Sequence, residues 1–332
     1  MHCIHWFCRL NSHRRTVWIP PLLCGLAFLV YYIYFCPDYS NPVELVEVSA
    51  NNVPMCGQYK TVTQRTPWFQ KHFNGSVEPL LMRKNQLIED HVLQWWLKLQ
   101  MGNNASDIPL ILEQLFKVVP TGNPYEELYK RPCRRCAVVG NSGNLKGLRH
   151  GENIDSHNFI FRMNGARTSG FEADVGSRTT HHFMYPESAV HLPHGVHLVL
   201  IPFKLKDLKW ITSAFSTGEI KRTYRPVKQY IQADKDKVLI YNPAFFKYIH
   251  DNWTDHHGKY PSTGMLALMF ALHICDEISV FGFGADRKGN WHHYWENNRF
   301  AGAFRRTGVH NADFESKLLE SLANEGILTF YK

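Results

Sequence analysis

From Cys136 to the C-terminus, the sequence predicts one α/β domain with a mostly parallel central sheet covered by helices on both faces. Two observations carry this. Short apolar runs of buried-strand type recur at 137–140, 159–163, 180–185, 197–202, 237–241, 278–283 and 327–331. Stretches of helical character lie between several of them, at 205–216, 243–252, 262–274 and 312–324. No linker, internal repeat or low-complexity tract divides residues 54–332, a length at the upper end of what one core supports.

Taken in order, the first sixteen residues hold Arg9, Arg14 and Arg15 and no acidic residue. Residues 17–36 then carry no charge at all, over about the length a helix needs to cross a hydrocarbon core. Pro20 and Pro21 fall near the start, where a helix tolerates them, and Tyr31, Tyr32, Tyr34 and Phe35 suit the far interface. Arginines before the span, with Asp38, Glu44 and Glu47 after it, place the N-terminus in the cytosol. A cleaved signal peptide competes, but the run is long and lacks a clear small-residue cleavage site. The expectation is a type II anchor: tail 1–16, span 17–36, polar stem 37–53, and a lumenal domain over 54–332.

A lumenal address agrees with the sequons at Asn74, Asn104 and Asn252. Cysteine arithmetic adds to it. Of eight cysteines, Cys3 and Cys8 precede the span, and Cys24 and Cys36 lie within it or at its edge. Cys56, Cys133, Cys136 and Cys275 remain, an even number with three possible pairings. Cys133-Arg-Arg-Cys136 could suggest zinc or redox chemistry, but with no second CxxC a structural disulfide is the better reading.

Residues 85–100, with Leu87, Ile88, Val92, Trp95, Trp96 and Leu99, have the spacing of an amphipathic helix, and 110–119 repeat the pattern. Both precede the first strand, so they can lie across the top of the sheet. That strand runs into Asn141-Ser142-Gly143-Asn144, where backbone N–H groups can approach a nucleotide. The turn is not GxGxxG and lacks the Lys-Ser/Thr of a P-loop. Asn164 ends the second strand, so Asn141 and Asn164 could face one pocket, although turn capping explains each alone. Tyr260-Pro261-Ser262-Thr263-Gly264 opens a long apolar helix whose N-terminus suits an anion. After the strand at 278–283 come Gly284 and the aromatic loop Trp291-His292-His293-Tyr294-Trp295-Glu296. His310 stands in a turn before the last helix, with Glu315 five residues on.

Four ordered stretches identify a family. The segment from CRRCAVVGNSGNL to DVGSRTTHHFMYPES resembles the large sialylmotif of the animal sialyltransferases. HGKYPSTGMLALMFALHICDEISVFGFGAD, HHYWENN and HNADFE resemble the small, third and very small motifs. The wording is most similar to the β-galactoside α2,3-sialyltransferases that use Galβ1-3GalNAc. The resemblance implies a Rossmann-like, GT-A-like variant fold and CMP-sialic acid as donor. It also implies transfer to the 3-hydroxyl of a terminal β-galactose on a glycoprotein or glycolipid, in one in-line displacement with inversion.

It further implies His310 as the base and His293 as a hydrogen-bond donor to the leaving phosphate. Asn141, Ser142, Asn164, Tyr260, Ser262, Thr263, Gly264, Gly284, Trp291 and His292 would hold the donor, with Tyr185 and Tyr224 as phosphate or base contacts. Gln100 falls where an acceptor-galactose contact is expected. Cys136 would pair with Cys275, leaving Cys56 with Cys133, and the address would be the Golgi membrane.

Metal and other cofactors are not expected. Asp234-Lys235-Asp236 fits a DxD pattern but sits between lysines before a strand, where a solvated turn is expected. CMP-sialic acid has one phosphate, so a divalent clamp is dispensable, and the histidine pairs 181/182, 256/257 and 292/293 lack HExxH or two-Cys spacing. The net charge of +8 suits an anionic nucleotide-sugar. Nucleic acid is not expected, because the basic residues are scattered. The alternatives are a transferase of other linkage, α2,6 or α2,8, and a lumenal glycan-binding relative without catalysis.

Overall fold

In a computed structural model the chain is described at residues 65–99, 105–120, 122–126, 133–286, 288–297 and 308–332, all within the compact unit Met55–Lys332. The predicted span and stem, Cys56, Gln100 and Asn104 lie outside the described residues. Among the described residues no helix is long and apolar enough to cross a membrane.

Seven strands form one sheet: β1 Arg135–Val139, β2 Phe159–Met163, β3 His181–Met184, β4 His197–Leu200, β5 Val238–Ile240, β6 Glu277–Phe281 and β7 Thr329–Tyr331. Their order is β5-β4-β3-β2-β1-β6-β7, and every pairing is parallel. Parallel strands are covered on both faces, which is why each reads as a nearly continuous apolar run. Successive side chains of β1 divide between the two sides. Cys136 and Val138 join a large core with Phe161 and Phe183, while Ala137 and Val139 join a smaller one with Ile160 and Phe281.

Among the described residues the α-helices are α1 Pro67–His72, α2 Asp90–Leu99, α3 Ile108–Leu115, α4 Gly151–Asp155, α5 Glu172–Val175, α6 Leu205–Ala214, α7 Pro243–Tyr248, α8 Thr263–Ile274 and α9 Ala312–Asn324. Helix α8 is buried on nearly every side and crosses β1, β2, β3 and β6 within the large core. On the other face α4 and α5 pack together and supply Ile154 and Val175 to the smaller core.

Three helix readings need correction. Helix α2 starts at Asp90, not 85, and Leu87 is 94% exposed rather than on a buried face. The Asn85 side chain accepts from Met82 N at 2.6 Å and donates to Leu80 O at 2.8 Å, closing a 3-10 turn that holds the chain out of the helix. Helix α3 starts at Ile108 and ends at Leu115 instead of 119. Its end tightens into i→i+3 bonds, Lys117 N to Gln114 O (3.3 Å) and Val118 N to Leu115 O (2.9 Å). The stretch predicted as one helix over 243–252 widens after Tyr248 into a π turn, Ile249–Trp253.

Two links tie these elements to the sheet. Trp96 Nε1 on α2 donates to Pro202 O at 2.7 Å, fixing α2 to the loop after β4. Cys136 in β1 is disulfide-bonded to Cys275 after α8, with their Cα atoms 6.1 Å apart. Cys133 is also disulfide-bonded; its expected partner Cys56 lies outside the described residues. Of the sequons, Asn74 is exposed, and its Oδ1 accepts from the N and Oγ of Ser76 at 3.0 and 2.7 Å. Asn252 is exposed on the π turn while Thr254 is buried.

Candidate active site

Strand order reverses between β1 and β6, because β2 to β5 are added on one side of β1 and β6 and β7 on the other. A crevice opens at such a switch point, beyond the C-terminal ends of the two strands. Here it is a cleft of about 370 Å³. Its floor depends on close backbone approach: Gly140 N donates to Phe281 O at 2.7 Å and Ser142 N to Gly282 O at 3.0 Å. A Cβ at position 140 would stand 2.2 Å from Gly282 O, so only glycine fits.

Asn141, Ser142 and Asn164 line this floor, as expected for residues at strand ends. Asn141 Nδ2 donates to Met163 O at 3.0 Å, which ties the β1 loop to the end of β2. Asn164 occupies the left-handed region at φ 55°, and its carbonyl accepts from His182 Nε2 at 2.7 Å. Burial lowers the His182 pKa to about 4 and so keeps the ring a neutral donor. Asn141 Oδ1 and Asn164 Oδ1 are both buried with no hydrogen-bond partner among the described residues.

The aromatic loop is laced onto the β1 loop. Gly143 N donates to His292 O at 2.8 Å and Tyr294 N to Asn141 O at 3.1 Å, with an isolated bridge between Ser142 and His293. Trp291, His292 and His293 thereby line the cleft, as does Gly284. His293 stacks on Trp295 with ring centroids 4.5 Å apart. Its Nδ1 lies 2.9 Å from Glu296 Oε1. A carboxylate only accepts, so Nδ1 carries the hydrogen of this contact and the ring is oriented by it.

The facing wall is the start of α8 with the start of α9. Ser262 Oγ caps α8 by accepting from Met265 N at 3.1 Å. Ser262 also donates its N–H to Glu315 Oε1 (2.7 Å) and its hydroxyl to Glu315 Oε2 (2.5 Å). Burial pushes the Glu315 carboxyl up to about 7, and the two Ser262 bonds oppose that rise. Thr263 and Gly264 complete this edge. His310 sits just before α9, with its Nδ1 2.9 Å from Tyr260 O. A carbonyl only accepts, so Nδ1 carries the proton and the neutral ring keeps its lone pair on Nε2. Burial lowers the His310 pKa, partly offset by the Tyr260 carbonyl.

Three tyrosines close the cleft: Tyr185, Tyr224 and Tyr260. Burial pushes the Tyr185 phenol up to about 12, and Tyr224 is raised by the same cause with a contribution from Glu187. Phe203 joins them, its ring centroid 5.5 Å from Tyr185 and 4.9 Å from Tyr260.

The structure thus brings fourteen predicted positions to one cleft: Asn141, Ser142, Asn164, Tyr185, Tyr224, Tyr260, Ser262, Thr263, Gly264, Gly284, Trp291, His292, His293 and His310. Gln100 lies outside the described residues. Asp234 and Asp236 precede β5, at the end of the sheet away from the cleft. Sequence reasoning overlooked Phe203, Met163, Met265 and Leu319 as lining residues. It noted Glu315 without foreseeing its bonds to Ser262. The apolar linings carry no sequence mark that separates them from core.

The family model for glycosyltransferase family 29 (sialyltransferase) matches residues 80–327; the chain belongs to that family. It is 52% identical over 322 residues to the Mus musculus CMP-N-acetylneuraminate-beta-galactosamide-alpha-2,3-sialyltransferase 2, covering 97% of this chain and 92% of the relative. To the Homo sapiens CMP-N-acetylneuraminate-beta-galactosamide-alpha-2,3-sialyltransferase 1 it is 48% identical over 92% of this chain and 96% of the relative. Among solved structures, a mammalian sialyltransferase in complex with Gal-beta-1-3GalNAc-ortho-nitrophenol matches with a TM-score of 0.77 at 48% identity. That match covers 85% of this chain and 98% of the solved one.

Proposed function

We propose that the protein transfers sialic acid from CMP-sialic acid to the 3-hydroxyl of a terminal β-galactose, Galβ1-3GalNAc above all, with inversion and without a metal or other cofactor. The observation that carries the mechanism is the His310–Tyr260 carbonyl bond, which leaves a basic nitrogen on a ring at the cleft. The His310 Nε2 lone pair takes the proton of the acceptor hydroxyl as that oxygen bonds to the anomeric carbon. The bond from that carbon to the CMP phosphate oxygen breaks in the same step. His293 hydrogen-bonds the phosphate, an interaction that strengthens as charge builds on the leaving group. The amide oxygens of Asn141 and Asn164 accept from ribose hydroxyls or the cytosine amino group, and the α8 N-terminus faces the anionic end. Gln100 contacts the acceptor galactose.

The acceptor linkage rests on the names of the relatives and on the solved neighbour's bound disaccharide. The test is a transfer assay on the full chain in detergent, with CMP-sialic acid and a Galβ1-3GalNAc glycoside in EDTA, beside His310→Ala. An α2,3-linked product formed in EDTA and lost in the variant supports donor, linkage, metal independence and base together. An α2,6 or α2,8 product overturns the linkage, and full activity in the variant overturns the base. No product with folded protein points to a glycan- or nucleotide-binding relative.

The same reading includes a Golgi type II membrane topology, with 17–36 as anchor, 37–53 as stem and 54–332 lumenal. It also includes glycans on Asn74, Asn104 and Asn252 and a second bridge, Cys56–Cys133. Protease protection of intact Golgi vesicles, read with an N-terminal tag, tests the topology. Peptide mapping of the unreduced protein tests the bridge and the glycans.

A further inference from the structure

Tyr224 lines the cleft, yet it stands at the tip of a small exposed hairpin and is itself 51% exposed. The hairpin is held by an Arg222–Pro226 bridge, by Thr223 N to Arg225 O at 2.9 Å and by Val227 N to Lys221 O at 3.0 Å. A two-stranded turn of this size does not hold a position by itself in water.

Directly beneath it lies a cluster of buried charges. Lys204 Nζ is 3.0 Å from Glu187 Oε1 and 2.6 Å from Asp207 Oδ1, and the three side chains are 6%, 4% and 0% exposed. The Thr223 hydroxyl donates to Glu187 Oε1, and the Lys204 ammonium lies 5.1 Å from the Tyr224 ring centroid. Asp207 Oδ2 accepts from the N–H groups of Phe203 (2.9 Å) and Lys204 (3.2 Å). Glu187 is two residues beyond Tyr185, whose N–H and carbonyl both bond Ser188 Oγ. One cluster therefore meets the chain beside three cleft residues, Tyr185, Phe203 and Tyr224.

Desolvating three charged groups is expensive, and apolar side chains of the same volume stabilise a fold about as well. Stability alone is a poor reason for this cluster to exist. We propose that Glu187, Lys204 and Asp207 are positioning residues that act through the Thr223 hydroxyl to seat Tyr224 over the donor site. This inference rests on the donor-site reading of Tyr224.

The test uses Thr223→Val, Thr223→Ser, Tyr224→Ala and the double variant Thr223→Val/Tyr224→Ala in the full chain. Thr223 is only half buried, so its valine keeps the shape and leaves the charged cluster intact. The expected result for Thr223→Val is about a tenfold loss in kcat/KM for CMP-sialic acid at an unchanged thermal midpoint, within the range that small misplacements cost. Thr223→Ser restores the rate, and the double variant is no slower than Tyr224→Ala, because both substitutions remove one contribution. Full activity in Thr223→Val, or losses that multiply in the double variant, overturn the inference while leaving Tyr224 in the donor site. Wild-type kinetics in Tyr224→Ala remove Tyr224 from the donor site and the inference with it.

Discussion

The base role proposed for His310 requires a neutral ring, and its surroundings favour that form. Burial lowers its pKa below the ordinary imidazole value of 6.5, and the Tyr260 carbonyl selects the tautomer. Protonation of the base therefore limits the rate only in acid: kcat/KM for acceptor rises with pH through an acid limb placed below 6.5, and a pH–rate profile measures it directly. A limb above that value would mean that another group is titrating. His293, the proposed donor to the phosphate, has a different partner, with its Nδ1 2.9 Å from Glu296 Oε1. Glu296→Gln keeps the shape but removes the carboxylate that orients the ring through Nδ1, and about a tenfold lower kcat is expected, less than losing the proposed phosphate donor outright. These roles were readable only where a motif carried them. Glu315 was marked by its motif but its partner was not, since Ser262 lies 53 residues away in sequence and the contact exists only after folding.

At the scale of elements, the site is a set of starts and ends: two strand exits, two helix N-termini and one loop stitched to another. Ser262 joins two of these pieces, so Ser262→Ala removes a helix cap and takes the hydroxyl donor from Glu315 Oε2, while the backbone bond to Oε1 stays. The expected destabilisation is about 2–4 kcal/mol by urea unfolding, the sum of a cap and an unsatisfied group. Adding Glu315→Gln to it should cost less than the separate effects combined. Gly140→Ala forces β1 and β6 apart against a carbonyl 2.2 Å from the new methyl group, and about 3 kcal/mol or more is expected from the same measurement. Strands were the legible elements because burial on two faces writes an uninterrupted apolar run. Helix limits were not, since Asn85 and the tightening after Leu115 override an apolar spacing that continues past both points.

Across the whole molecule, charge burial links stability to pH. His182 holds a folded pKa of about 4 against 6.5 unfolded. Between those values the unfolded chain binds a proton that the folded chain refuses, so stability falls as pH drops from 6.5 toward 4, by up to about 3 kcal/mol. His181, buried against His197 with ring centroids 4.6 Å apart, is lowered by the same desolvation and adds to the fall. Glu315 and Asp207, raised to about 7, act in the opposite direction: their contribution is present at low pH and is lost as pH rises through 7. The thermal midpoint should therefore peak in weakly acidic buffer, and His182→Gln, which can still donate to Asn164 O, should flatten the acid side. A scan across pH 4–8 checks both. The order of the strands was not legible, because alternation of strand and helix is compatible with several orders; the switch between β1 and β6 is a property of packing.

The Cys136–Cys275 bond spans 139 positions of sequence. The cleft residues from Asn141 to Gly264 lie inside that interval, while Gly284, Trp291, His292, His293 and His310 lie beyond it. The bond thus closes one part of the cleft into a covalent ring, and the segment that carries His293 and His310 is attached to that ring as a tail.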